Sequence, residues 1–201
     1  MLSQNQVLSE IMEGSTNLIE SPDSAIHTPA INPVMYDLAV ACAKSKRTTL
    51  IQMRHDDSEA HRWVNKSIEA ARNITETELG AIVANLQIVS IPSSTEVPWN
   101  DEVKNVLEHI TDRLSECVLF SGVPGDNEHV SVQDVISRIK AHAGQCTYFY
   151  QTLEPLSSDH VPDDVDSVFT YKQRNEHGTS FVIINPKTKA VRREVFFKSN
   201  K

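Results

Sequence analysis

The sequence is poor in the residues that build catalytic and nucleotide-binding loops. It contains six glycines among 201 residues, and none falls in a Walker or dinucleotide-binding spacing, both of which cradle phosphate with backbone amides. The HExxH and Cys-x2-Cys spacings of zinc sites and the GxSxG sequence of serine hydrolases are also missing. These absences predict no cofactor and no bound metal, and they favour a non-enzymatic protein.

Cysteine and long apolar stretches are equally scarce. The three cysteines, Cys42, Cys117 and Cys146, are odd in number and far apart, unlike a disulfide framework. No segment approaches the roughly 18 uncharged apolar residues that cross a bilayer, and residues 1–14 lack the basic and apolar parts of a secretory signal. We therefore expect an intracellular, cytoplasmic protein with buried, reduced thiols and no membrane span.

Charge is distributed unevenly along the chain. Residues 167–201 carry eight Lys or Arg against two acidic residues, a net charge of +6, whereas the whole chain carries −8. Residues 1–166 therefore carry a net charge of −14. Because an asymmetry of this kind steers association, an acidic body with a basic C-terminal tail indicates a binding surface.

The N-terminal residues 1–31 are predicted to form a flexible arm. Ser, Thr, Asn and Pro in residues 14–31 leave little apolar surface to bury. Residues 4–13 are either a short amphipathic helix or a frayed terminus. A single domain is expected over residues 32–201, with a helical part at 32–145 and a β-meander at 146–198.

Apolar residues at helical spacing predict the helices of residues 32–145. They are expected at 33–47, at 57–73, after the capping-box sequence at 75–78, after Asn100 and over 131–143. The short β-branched segment 48–53 is typical of a strand. Residues 88–91 either continue the third helix or become extended.

After residue 146 the apolar period changes from 3.6 to 2, which predicts strands at 146–153, 168–173, 180–185 and 190–198. Residues 181–184 are apolar at every position, so both faces of that strand must be covered. The sequence therefore predicts an α+β fold, in which four or five helices pack on a mostly antiparallel sheet formed chiefly by the C-terminal third.

The basic tail supplies the main candidate site, a ribbon of cations on these last strands. Several cations on one ribbon can neutralise phosphates or acidic side chains. Two other interpretations remain open: cations that protect an edge strand from aggregation, and cations that pair with the acidic body of the same chain. Trp99 is a second candidate, as an exposed interface anchor or as a lid over the core. The ribbon, called the basic ribbon below, consists of Lys172, Lys187, Lys189, Arg192, Arg193 and Lys198.

Three functions follow from these features. The leading prediction is a binding, assembly or adaptor protein that acts through protein–protein contacts, with self-association permitted by the opposed charges of body and tail. The alternatives are an accessory protein that binds nucleic acid through the basic ribbon, and an enzyme with a Cys–His site assembled in space.

Overall fold

The structure is a computed structural model that describes residues 14–20, 33–53, 57–71, 74–91, 115–123, 132–143, 146–152, 161, 163–175 and 178–198. The helices are α1 (Pro33–Ala43), α2 (Asp57–Ala70), α3 (Glu76–Asn85) and α4 (Val132–Ala143). The strands are β1 (Thr16–Ile19), β2 (Thr48–Met53), β3 (Leu86–Ile91), β4 (Cys117–Val123), β5 (Thr147–Thr152), β6 (Ser167–Asn175), β7 (Gly178–Ile184) and β8 (Val191–Lys198).

All eight strands belong to one sheet, in the order β3-β2-β4-β5-β1-β6-β7-β8. The pairs from β3 to β6 in that order are parallel, and only the pairs β6–β7 and β7–β8 are antiparallel. The prediction of a mostly antiparallel sheet formed chiefly by the C-terminal third is therefore wrong. The sheet is mostly parallel, and strands from the whole length of the chain form it, including three strands in the part predicted to be helical.

The strand β1 lies in the middle of this sheet, between β5 and β6. Thr16, Leu18 and Ile19 are fully buried. The amide of Thr16 also donates a hydrogen bond to Asp166 Oδ2 over 2.9 Å. Residues 16–19 are thus part of the folded sheet, and the predicted flexible arm over residues 1–31 is wrong for this segment.

The two faces of the sheet carry separate apolar cores. The first face is covered by α1, α2 and α3, with Leu38, Val64 and Ile82 in its core. The second face is covered by α4, whose Ile136 and Ile139 pack on it. Parallel strands that are covered on both faces read as short, continuously apolar runs without alternation. The period-2 signal that identified β6, β7 and β8 is therefore weak in β1, β3 and β4.

Local sequence explains where the helices begin and end. Pro33 opens α1, as its fixed backbone angle favours at a first helical position. Thr75 and Glu78 form the predicted capping box at α3, with the Glu78 amide donating to Thr75 Oγ1 over 3.2 Å. Helix α3 runs directly into β3, because Leu86 at its end is already extended. The ambiguous segment 88–91 is therefore strand.

The helix predicted after Asn100 falls on residues that the structure does not describe, apart from its last predicted position. The apolar spacing of that predicted helix extends to Cys117, but Cys117 is the first residue of β4. The spacing was misleading here because Cys117 is followed by Val118, Leu119 and Phe120, an apolar run that fits a buried strand as well as a helix end.

Candidate functional site

The parallel strands of the sheet all end at one edge, and the chain connections change direction there. Strands β2 and β4 are neighbours, yet the chain leaves β2 for α2 on the first face and leaves β4 for α4 on the second face. In open α/β sheets, ligands bind outside the carboxyl ends of strands at such a switch point. We call this region the carboxyl edge.

Polar side chains occupy one register across the carboxyl edge. Gln52 on β2 is aligned with Ser90 on β3 and with Ser121 on β4. Leu50 and Leu119, two residues earlier on their strands, belong to the core of the first face. Because side chains two apart share a face, the polar row lies under α1 and α2 at the carboxyl end of that core.

Four buried polar atoms in this region lack a well-formed hydrogen bond: Tyr36 Oη, Gln52 Oε1, Trp63 Nε1 and Ser90 Oγ. The rings of Tyr36 and Trp63 stack with centroids 6.1 Å apart. Burial raises the pKa of the Tyr36 hydroxyl well above its usual range, the Gln52 side chain partly offsets the rise, and Glu59 adds to it. The phenol is therefore a neutral group, suited to hydrogen bonding rather than to acid–base chemistry.

Glu20 is the acidic residue that follows β1 at the same edge. Its amide donates a hydrogen bond to the Phe169 carbonyl over 3.1 Å. Burial raises the pKa of its carboxyl group, and a hydrogen bond from Thr170 partly opposes the rise. Three strand spacings of about 4.8 Å each separate β1 from β2, so Glu20 and Gln52 are roughly 14 Å apart and do not form one site.

The carboxyl edge differs chemically from a phosphate-binding site. Residues 20–32, which connect β1 to α1, contain no glycine, lysine or arginine. Phosphate loops at this position of an α/β sheet need glycines for close backbone approach, and Walker loops also need a lysine. The first βα connection therefore cannot supply the usual phosphate cradle.

The three thiols are buried, and the pKa values of two of them are raised, which is opposite to what a nucleophilic cysteine requires. Cys117 Sγ lies 3.5 Å from Cys42 Sγ, and this contact together with burial raises the pKa of Cys117. Cys146 donates to the Ser115 carbonyl over 2.8 Å, and burial raises its pKa as well. All three cysteines are free and buried.

The residues of the basic ribbon are located on β6, on β8 and in the turn between β7 and β8. Lys172 donates to Glu194 Oε1 over 2.9 Å, and both side chains are about half exposed. Lys187 and Lys189 are exposed at the turn. Arg192, Arg193 and Lys198 occupy positions on β8, the outermost strand on this side of the sheet.

Backbone irregularities mark both outer strands of the meander. The pairing register shifts between Tyr171 and Gln173 on β6, and it shifts again on β8, between Val191 and Arg193. Such bulges and charged side chains are the usual protection of an edge strand against pairing with another chain. This side of the sheet thus carries the features of a protected edge.

The opposite side of the sheet lacks these features. Strand β3 pairs with β2 over six consecutive residues without a register shift, and residues 79–91 contain no charged side chain. Residues 86–90 are each partly exposed. This combination describes an uncharged strand that is outermost among the described strands, and such a strand is a template for pairing with another chain.

Helix α3 extends this uncharged region with exposed apolar side chains. Val83 is 73% exposed and Leu79 is 42% exposed, and a Cβ atom added at Gly80 would meet only open space. Val83 precedes the first residue of β3 by three positions, so the apolar part of α3 adjoins the amino end of the strand. We call α3 residues 79–84 together with β3 the α3–β3 surface.

Sequence reasoning missed this surface. The third helix was predicted from apolar residues at helical spacing, but of Leu79, Ile82 and Val83 only Ile82 is fully buried. The available signal was the uncharged run 79–91 itself, which is unusual in a chain of net charge −8. Trp99, the predicted anchor, lies outside the described residues.

Within the described part of the chain, no group of three or more His, Cys, Asp or Glu side chains is arranged to hold a metal ion, and no described helix is long and apolar enough to cross a membrane. No protein-family model and no curated protein sequence matches the chain.

Proposed function

We propose that this protein is a non-enzymatic binding or assembly protein that acts through protein–protein contacts, including contacts with its own copies. The observation that carries the proposal is the α3–β3 surface, where an exposed apolar helix face adjoins an uncharged edge strand. Exposed apolar patches on soluble proteins commonly mark interaction sites, and edge strands add main-chain hydrogen bonding to such a contact.

The chemistry of the remaining regions supports a binding role over catalysis. The raised pKa values of Cys117 and Cys146 oppose the alternative of a Cys–His enzyme. The carboxyl edge presents neutral amide, hydroxyl and indole groups where phosphate-binding proteins present glycines and cations. Three unpaired cysteines also favour a reducing, intracellular compartment.

Nucleic-acid binding through the basic ribbon is the weaker alternative. The ion pair with Glu194 neutralises Lys172, and the position of β8 at the sheet edge gives its cations a protective role. Lys187 and Lys189 add two exposed side chains at one turn, which is a small electrostatic footprint for a phosphate backbone.

Self-association is tested by substituting one exposed valine near each of the two outermost strands, β3 and β8. We expect Val83→Glu to weaken association by at least roughly tenfold, since a charge replaces an apolar side chain that becomes buried on contact. Val191→Glu is the matched control, because Val191 is similarly exposed, at 66%, but lies on β8. Sedimentation velocity over a range of protein concentrations measures both variants against the unchanged chain.

The Val191→Glu control separates an effect of the α3–β3 surface from an effect of added charge. Equal weakening by both substitutions would attribute the effect to added negative charge in an acidic protein. A chain that stays monomeric at every concentration, with or without the substitutions, would refute the self-association part of the proposal.

A further inference from the structure

The two outer strands of the sheet are built in opposite ways. Strand β8 carries Arg192, Arg193, Glu194 and Lys198 and contains a register shift. Strand β3, with the sequence LQIVSI, carries no charge, no proline and no register shift. Natural sheets protect edges that must stay unpaired, so the absence of charge, proline and a register shift from β3 indicates an edge that becomes paired.

The backbone of β3 has hydrogen-bonding capacity on its outer side. Among the strands that the structure describes, β3 pairs with β2 alone. In a parallel pair, alternate residues direct their N–H and C=O groups toward the neighbour, and the residues between them direct these groups outward. Burial of the outward groups without a partner would cost free energy, so any protein that covers this edge must bond to it.

A second copy of this chain is the occupant that suits the charge pattern. An isologous contact places each surface against an identical one, so a surface with charges of one sign would repel itself. The chain as a whole carries −8, but residues 79–91 carry no charge. The α3–β3 surface is therefore a region on which two acidic copies can meet without like-charge repulsion.

We infer that two copies pair through β3 in antiparallel orientation, about a two-fold axis perpendicular to the sheet, so that one sheet continues across the dimer. An edge strand is self-complementary in this orientation, because residues opposite each other exchange hydrogen bonds in both directions. The exposed Leu79 and Val83 of α3 then add apolar contact at the amino end of each β3. The inference rests on the proposed function and specifies its partner and geometry.

Charge substitutions of opposite sign at Gln87 test the partner. Gln87 lies within β3 and is partly exposed. If the partner is a second copy, Gln87→Lys and Gln87→Glu each place two like charges close together, and each weakens association by roughly three- to tenfold. An equal mixture of the two variants restores most of the association, because the mixed dimer pairs opposite charges.

Sedimentation of each variant alone and of the mixture measures these effects, with Val191→Lys and Val191→Glu as controls that leave the dimer intact. Thermal unfolding of each variant checks that the monomer still folds. A mixture that associates no better than the separate variants overturns the inference. So does a result in which Lys and Glu act in opposite directions, because this indicates a different partner of fixed charge.

Cysteine scanning separates failure of this geometry from failure of the proposed function. Gln87→Cys, Ile88→Cys and Val89→Cys are oxidised in turn, with Val191→Cys and the unchanged chain, whose own cysteines are buried, as controls. We expect a disulfide-linked dimer at the β3 position nearest the two-fold axis. Association without any β3 cross-link refutes strand pairing but leaves the proposed function intact, whereas a protein that never associates refutes self-association in both.

Discussion

Leu18→Ala is expected to lower the free energy of unfolding by about 2–5 kcal/mol, the usual cost of deleting a buried leucine side chain. Leu18 is fully buried in the core of the second face. Its strand pairs with β5 on one side and β6 on the other, with Tyr150 and Val168 as register partners. The cavity would therefore open in the middle of the sheet, where the surrounding structure cannot collapse easily.

Urea or thermal unfolding measures this loss, with two reference variants. Leu50→Ala removes an equally buried leucine from β2 and should cost a similar amount. Val191→Ala changes an exposed side chain and should cost no more than about 0.5 kcal/mol. If Leu18→Ala behaved like Val191→Ala, residues 16–19 would belong to a flexible arm after all, and the central position of β1 would be wrong.

Tyr150→Phe is expected to stabilise the protein by about 1–3 kcal/mol, although most substitutions destabilise. The Tyr150 hydroxyl is buried without a hydrogen-bond partner, and the Tyr150 residue is fully buried. Its removal relieves the cost of holding an unpaired polar group in the core of the second face and leaves the aromatic packing in place. Tyr36→Phe should act in the same direction at the carboxyl edge but less strongly, because the Tyr36 hydroxyl is also buried without a well-formed hydrogen bond yet has a weak interaction with the Gln52 side chain.

Tyr148→Phe is the matched control for both substitutions. The Tyr148 ring stacks on Tyr150 with centroids 5.9 Å apart, but its hydroxyl interacts with the Cys146 thiol. This substitution should therefore be neutral or destabilising in the same unfolding assay. A clear loss of stability in Tyr36→Phe would show that its hydroxyl has a partner, such as ordered water or a ligand at the carboxyl edge, and would assign that edge a binding role.

The elements that the sequence predicted well are those with a strong local signal. The capping box of Thr75 and Glu78 and the proline at the start of α1 depend on neighbouring residues alone. The amphipathic pattern of α2 and α4 and the alternating strands β6–β8 are likewise local. These helices and strands each face solvent on one side and the core on the other, and the sequence shows this contrast directly.

The elements that were missed depend on contacts distant in sequence. Strand β1 has four residues, and half of them are polar, so nothing local distinguishes Thr16–Ile19 from a linker. Its burial comes from β5 and β6, which lie about 130 and 150 residues further along the chain. Because parallel pairing needs such distant crossovers, the order of the sheet could not be read from the pattern of any single segment.

The two candidate surfaces likewise differ in whether the sequence shows them locally. Charge is visible in sequence, so the basic ribbon could be predicted from it, although its place at a sheet edge was only one of three interpretations. The exposure of Val83 was not visible, because a helical stripe of apolar residues usually faces the core. Here α3 buries Ile82 in the core of the first face, and Glu78 pairs with Lys44, which directly follows α1, at 3.0 Å. The neighbouring apolar residues of α3 are left exposed.

Hydrogen–deuterium exchange at two protein concentrations tests the central claim, that β3 is the strand through which copies of the chain associate. The outward amides of Leu86–Ile91 should exchange more slowly in the concentrated sample, since a partner strand would then bond to them. The amides of Val191–Lys198 on the opposite edge should exchange equally in both samples. Contradiction would come from β3 amides that exchange at the same rate in dilute and concentrated protein while the protein associates, or from added protection at β8 instead.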